Sequence, residues 1–175
     1  MRTRGVLVPG VLALLPEYAG LVDPVPELRA ACLAAVAWLA GCGPVVVIAD
    51  AQGERVARAL LEAAGGGVST GSTGVGHPAY LVVANGSARR TEKAPGHLDE
   101  RAASFDGALE KALRGPDPQA LANLDVALGD ELLAGNVVGF RTLGDLLSSG
   151  YEVSVDYADD PFGVQYWVMR WQCAS

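Results

Sequence analysis

A run of four β-branched residues at positions 45–48 constrains the fold of this chain most strongly. The run reads Val-Val-Val-Ile and contains no polar alternation, so both faces of the predicted strand must be buried. A polar turn follows at Asp50, and apolar residues then recur at helical spacing through residues 56–63. A doubly buried strand, a turn and an amphipathic helix predict a βα unit of an α/β fold.

Two further apolar runs predict strands of the same sheet. Residues 5–8 end at Pro9-Gly10, and residues 79–84 precede a long polar segment. The strand-like residues 152–157 and 164–171 predict a C-terminal hairpin. Helices are expected at 28–39, 100–114, 120–134 and 138–147. Together these elements predict a single α/β domain with a mixed, mostly parallel sheet.

The length of 175 residues suits one domain spanning residues 1–175, because two independent domains would each lack a sufficient core. Residues 65–76 are rich in glycine, serine and threonine, which predicts a flexible loop. The hairpin aromatics Tyr166, Trp167 and Trp171 are expected to fill the core on alternate faces of the last strand.

The charge balance bears on the expected partners. Thirteen basic against 20 acidic residues give a net charge of −7, which disfavours nucleic acid and anionic membranes. The local reversal at Arg89, Arg90 and Lys93 suits a small anion instead. No stretch reaches the roughly 18 apolar residues of a membrane span.

The cysteines and the N-terminus predict a cytoplasmic protein. Cys32, Cys42 and Cys173 form no CxxC pair, and this odd, sparse set is typical of reduced thiols. The basic start and the apolar residues 5–15 superficially resemble a signal peptide. Pro9 and Gly10 interrupt that run, and no A-x-A cleavage site follows.

The polar loop of residues 85–99 is the strongest candidate for a binding site. It follows a predicted strand, where open α/β sheets place their ligands. Asn85, the hydroxyls of Ser87 and Thr91, and the guanidiniums of Arg89 and Arg90 are the predicted ligand contacts. The alternative is a solvated loop whose charges pair with one another.

Other constellations are weaker candidates. Ser87, His97 and Asp99 supply the residue types of a nucleophilic triad, but no G-x-S-x-G elbow surrounds the serine. His77 and His97 flank the third strand at opposite ends, too far apart for one metal ion unless the loop returns. The three aspartates of the predicted hairpin favour a turn over acid–base chemistry: Asp156, Asp159 and Asp160.

Three segments carry a resemblance to a known family. Residues 9–17 resemble P-H-P-P-L-L-x-P-E, and residues 85–106 resemble G-D-G-S-A-x-R-T-x-x-A-P-G-x-x-D-x-R-A-x-x-F-D. Residues 159–168 are similar to D-x-P-Y-G-V-x-Y-x-V. These motifs are those of the LigB-like B-subunit family of class III extradiol ring-cleavage dioxygenases, in a small actinobacterial-type branch. The resemblance implies a three-layer αβα domain.

Family catalysis depends on ferrous iron held by two histidines and a carboxylate. Gly10 stands at the first ligand position of the resemblance, residues 50–52 contain no histidine, and Ala88 replaces a catalytic histidine. Fe(II) is therefore expected only if the family activity survives, and no metal or other cofactor is predicted.

The leading hypothesis is a homologue without the iron site. It would bind a small anionic or aromatic molecule where Ser87, Arg89, Arg90 and Thr91 face Gly10, or act as a non-catalytic subunit. A divergent dioxygenase, or another metal- or serine-dependent enzyme, is the first alternative. A structural subunit of a homo-oligomer is the second.

Overall fold

A computed structural model describes residues 3–66, 68, 79–115, 117–147 and 150–173. Within these ranges the secondary structure runs in the order β1 (Arg4–Val8), α1 (Pro26–Ala40), β2 (Val45–Ile48), α2 (Ala51–Ala63), β3 (Ala79–Val83), α3 (Arg101–Arg114), α4 (Pro118–Ala122), α5 (Val126–Glu131), α6 (Val137–Leu146), β4 (Tyr151–Asp159) and β5 (Tyr166–Cys173). Two short 3-10 turns, Leu12–Leu14 and Pro16–Tyr18, lie between β1 and α1.

The strands form one mixed sheet in the spatial order β2-β3-β1-β5-β4. β3 lies between β1 and β2 and runs parallel to both. β5 is antiparallel to β1 on one side and to β4 on the other. The α/β class, the mixed sheet and the C-terminal hairpin predicted from the sequence are thus confirmed.

Alternating side chains of the strands divide the core into two layers. Val6 and Val8 of β1 face α1 and α2, whereas Leu7 between them faces α3, α4 and α6. In β5, Tyr166 faces the first helical layer and Trp167 faces the second. Since successive side chains of a strand point to opposite faces, helices on both sides bury the whole centre of the sheet. The three-layer αβα arrangement and the alternate burial of the hairpin aromatics follow.

Polar caps decide where several helices begin. Asp50 caps α2, its Oδ1 accepting a hydrogen bond from the amide of Gly53 at 2.7 Å. The predicted helix at 120–134 is wrong in extent, because the chain forms α4 and α5 there instead. Asp125 interrupts the helix and caps α5, its Oδ1 accepting from the amide of Leu128 at 3.0 Å.

Part of the glycine-rich segment 65–76 is described. Val68 forms an isolated parallel bridge with Val45 at the β2 edge of the sheet. Residues 67 and 69–78 lie outside the described residues, and with them most of the predicted flexible loop and His77. Among the helices of the described ranges, none has both the length and the apolar character needed to cross a membrane.

Candidate functional site

The turns that follow β1, β2 and β3 meet at one edge of the sheet. The amide of Ala84 donates to the carbonyl of Val8 at 3.0 Å, and Gln52 Nε2 donates to the carbonyl of Gly10 at 2.7 Å. A Cβ built on Gly10 would lie 3.3 Å from a methyl of Val83 and 3.9 Å from Asn85 Oδ1. Gly10 therefore lies beside Asn85 at the ends of β1 and β3.

The environment of Gly10 does not fit a ferrous ion held by two histidines and a carboxylate. The nearest groups to its missing side chain are Val83, Gly53 and Asn85. Across the described residues, no group of three or more His, Cys, Asp or Glu side chains is arranged to hold a metal ion.

The first part of the polar loop, residues 85–90, is anchored by its backbone to two other segments. Asn85 and Gly135 exchange two backbone hydrogen bonds of 3.1 and 3.0 Å, and the amide of Ala88 donates to Leu132 at 3.0 Å. The amide of Gly86 donates to the carbonyl of Gln165 at 2.8 Å. We call residues 85–90 the anchored segment, because these bonds tie them to Gln165, the residue before β5, and to the α5–α6 connection.

Ser87 lies in the interior of the protein and is bonded to an aspartate of α3. Its hydroxyl donates to Asp106 Oδ2 at 2.6 Å, and its amide donates to Asp106 Oδ1 at 2.8 Å. The exposed fractions of Ser87 and Asp106 are 0% and 1%. Burial raises the pKa of Asp106, against the opposing effect of the Ser87 hydrogen bonds and the charge of Arg90.

Arg90 extends this buried pair towards the hairpin. Its Nη1 lies 3.3 Å from Asp106 Oδ2, and its Nε lies 2.7 Å from Asp160 Oδ2. Burial opposes the charged form of Arg90, yet its hydrogen bonds and charge interactions with Asp160 and Asp106 raise its pKa. We name four side chains the buried polar cluster, after its buried centre at Ser87 and Asp106, to which the half-buried Arg90 and Asp160 are joined.

Arg89 packs against the backbone at Gly96. A Cβ at Gly96 would lie 2.6 Å from Arg89 Cγ, so only glycine fits there. Arg89 Nη1 makes a long contact of 3.5 Å with Asp99 Oδ2, and Arg89 Nε is buried without a partner among the described atoms. Arg89 is thus half-buried by its own loop rather than extended towards Gly10.

The three residues of the candidate triad make different contacts. Ser87 is bonded to Asp106, whereas His97 is exposed and its Nδ1 lies 3.3 Å from the carbonyl of Glu92. Asp99 is paired with Arg101 at 2.9 Å, which holds its pKa at about 2. The described hydrogen bonds join no two members of the triad.

The hairpin aspartates act as structural groups. Asp156 and Arg170 form a bidentate pair with distances of 2.6 and 2.8 Å. Asp159 Oδ1 accepts from the amide of Asp160 at 2.8 Å, as turn-forming aspartates do.

Residues 91–93, which we call the exposed tip, form one wall of a groove. Thr91, Glu92 and Lys93 are exposed and face the turn that joins β4 to β5. The groove has a volume of about 620 Å³, within the range of small-molecule sites. We call it the hairpin groove, and its lining residues are Thr91, Glu92, Lys93, Asp160, Pro161, Phe162 and Gly163.

Sequence reasoning missed the role of Asp106. This aspartate is buried on the apolar face of α3, between Phe105 and Leu109. A carboxylate at a core-facing helical position is the signal that could have identified a buried polar partner.

The chain is a three-layer αβα domain whose polar loop is anchored at one end and borders the hairpin groove at the other. No protein-family model matches the chain, and no curated protein matches it.

Proposed function

We propose that the chain is a LigB-like protein that lacks the usual iron ligands and binds a small molecule carrying a negative charge, an aromatic ring or both. The αβα fold agrees with the architecture that the sequence resemblance implies. Gly10, at the first ligand position of that resemblance, has no side chain to offer a metal. In this proposal the chain is a binding protein or a non-catalytic subunit.

The observation that carries the proposal is the composition of the hairpin groove. It combines the Lys93 ammonium, the Thr91 hydroxyl and the Phe162 ring with two carboxylates, Glu92 and Asp160, of which Asp160 is paired with Arg90. Lys93 has no ion pair within the described part of the chain, and Phe162 keeps 43% of its surface exposed. A cation and an apolar ring at one groove suit a ligand that is both anionic and aromatic.

The placement of the groove changes which loop residues would touch the ligand. Ser87 is fully buried, and Arg90 is already bound by two carboxylates. Thr91 is the predicted contact that reaches the groove. In the proposal, Arg90 therefore supports the site through Asp160, which lines the groove.

Benzoate tests the proposal, with acetate and benzyl alcohol as probes for the charge and the ring. Benzoate at tenfold its Kd is expected to raise Tm by roughly 3–6 °C. Acetate and benzyl alcohol should give smaller shifts at the same concentration, because each offers one of the two groups. Lys93→Ala and Phe162→Ala are each expected to weaken benzoate binding.

Two exposed residues outside the groove provide matched controls. Lys111→Ala removes an exposed ammonium of α3, and Tyr18→Ala removes an exposed aromatic ring. Both controls should bind benzoate as the parent does. Equal losses in Lys93→Ala and Lys111→Ala, or no benzoate shift at all, would refute the hairpin groove as the binding site.

Metal analysis tests the proposed loss of the iron ligands. The protein is purified with added Fe(II) under anaerobic conditions and its bound iron is measured. The proposal predicts much less than one iron per chain. One iron held per chain would contradict it and favour a divergent dioxygenase.

A further inference from the structure

A second groove lies on the helical layer that contains α3 and is separate from the hairpin groove. It runs between α3 and the α4–α5 segment and has a volume of about 610 Å³. We call it the helical groove, and its lining residues are Glu100, Arg101, Ser104, Phe105, Ala108, Ala120, Asn123, Leu124, Asp125 and Leu128. No residue of this set lines the hairpin groove.

The floor of the helical groove is apolar. Phe105 keeps only 7% of its surface exposed, and Leu124 and Leu128 are half-buried. Ala108 contributes a small exposed side chain beside them, which leaves room above the floor. An apolar body of a ligand placed here would lose water-exposed surface against these side chains.

The rim of the helical groove is acidic. Arg101 is its single cation, and Arg101 already contacts Asp99 and Glu131 at 2.9 Å each. Glu100 and Asp125 line the same groove and form no ion pair within the described residues. Neither carboxylate is paired with a cation of the described residues, although Asp125 Oδ1 also accepts a helix amide.

Amides at the starts of the flanking helices are already hydrogen-bonded to carboxylates. Asp99 Oδ1 accepts from the amide of Arg101 at 2.9 Å, and Asp125 Oδ1 accepts from the amide of Leu128 at 3.0 Å. These carboxylates already satisfy amides at the starts of α3 and α5. The net charge of −7 adds a long-range attraction for cations.

We propose that the helical groove binds a small organic ammonium ion with an apolar body. The apolar body lies on Phe105, Leu124 and Leu128, and the ammonium group is held by Glu100 and Asp125. This inference does not depend on the function proposed for the hairpin groove.

Phenethylamine is the probe, and 2-phenylethanol and phenylacetate are its neutral and anionic counterparts. Binding is followed by amide NMR shifts of the full chain. Phenethylamine should shift the amide signals of Ser104, Leu124 and Leu128 and bind at least about fivefold more tightly than 2-phenylethanol. Equal affinity of the amine and the alcohol would overturn the proposal, as would shifts confined to another surface.

Charge-neutral variants test the two carboxylates directly. The double variant Glu100→Gln, Asp125→Asn should weaken phenethylamine binding about fivefold and leave 2-phenylethanol unchanged. Asparagine caps helices as well as aspartate, so α5 should remain folded. Asp130→Asn, an exposed change outside the groove, and Lys93→Ala should bind phenethylamine as the parent does. Parent-like binding by the double variant would contradict the assignment.

Discussion

The anchored segment of residues 85–90 and the exposed tip of residues 91–93 are consecutive in one polar loop, but their surroundings differ. Ser87 is 0% exposed and its hydroxyl is bonded to Asp106, whereas Thr91, Glu92 and Lys93 are all exposed. The polar and basic residues of both stretches predict ligand contacts from the sequence alone. The difference shows that some polar side chains after a strand are buried and hydrogen-bonded within the protein. Only the exposed side chains of such a loop can then contact a ligand.

Removing the carboxylate at the centre of the buried polar cluster should produce the largest effect. Asp106→Ala leaves the Ser87 hydroxyl unpaired and removes one partner of Arg90. The free energy of unfolding is expected to fall by about 3 kcal/mol, as measured by urea denaturation. Asp106→Asn should cost less, because its amide oxygen can still accept from the Ser87 amide. A loss below about 1 kcal/mol for Asp106→Ala would contradict the anchoring account.

A methyl group at Gly86 should also destabilise the anchored segment. The added Cβ would lie 2.7 Å from Asp106 Oδ1, 2.8 Å from Gln165 Cβ and 2.9 Å from the Trp167 ring. Gly86→Ala is expected to cost about 2 kcal/mol through overpacking. Gly107→Ala is the control, since a Cβ at Gly107 meets nothing within 4 Å and α3 gains an alanine. If both variants had parent stability, the close packing around Gly86 would be refuted.

Replacing Arg90 should mainly lower the stability of the protein, whereas replacing Lys93 should mainly weaken benzoate binding. Arg90→Ala removes a partner from both Asp106 and Asp160, so an unfolding free-energy loss of about 1–2 kcal/mol is expected. Lys93→Ala should change stability by less than about 0.5 kcal/mol while weakening benzoate binding. Chemical denaturation and ligand titration of the same two variants provide the measurement. Equal stability losses would remove the distinction between the anchored segment and the exposed tip.

The pH dependence of stability should differ between two carboxylates near the loop. Burial raises the pKa of Asp106, so the folded protein holds that proton more tightly than the unfolded chain does. Its contribution to stability therefore falls as the pH rises from the ordinary aspartate pKa through the raised value. Asp106→Asn should remove this fall, as seen by denaturation across a pH series. An unchanged pH profile would show that Asp106 does not titrate in that window.

Asp99 should behave in the opposite sense. The hydrogen bond from Arg101 is the main cause that lowers the pKa of Asp99 to about 2. Its stabilising contribution is present above the ordinary aspartate pKa and is lost as the pH falls towards 2. Asp99→Asn should therefore make the protein less sensitive to acid in this range. Because Asp99 is near solvent, the effect should be small and should shrink at high salt.

Local patterns predicted the elements better than they predicted the contacts between them. The β-branched run at Val45–Ile48 forms β2 with the expected bounds, because β-branched residues favour strands. The expected burial on both faces is wrong, since β2 is an edge strand in which Val45 is buried and the other three residues are only partly buried. The Ser87–Asp106 bond joins residues 19 positions apart, and the Arg90–Asp160 pair joins residues 70 positions apart. Such contacts depend on how helices and hairpin pack, which residue spacing does not encode.

The candidate site, too, was predicted from the sequence only in part. Gly10 lies beside Asn85 because turns that follow parallel strands meet at one edge of the sheet, although the sequence prediction had placed other loop residues opposite Gly10. The hairpin groove could not be predicted from residue spacing, since Lys93 and Phe162 line one groove only after β4 and β5 pair and place their turn beside the loop. The polar loop was recognised from its composition, but its division into an anchored segment and an exposed tip was not.

A benzoate titration followed by amide NMR shifts tests the division of the loop most directly. The account predicts saturable shifts at Thr91, Lys93 and Phe162, with the amide signals of Gly10 and Ser87 unchanged. Shifts centred on Gly10 and Asn85, with Lys93 unaffected, would place the ligand at the strand ends and contradict the account.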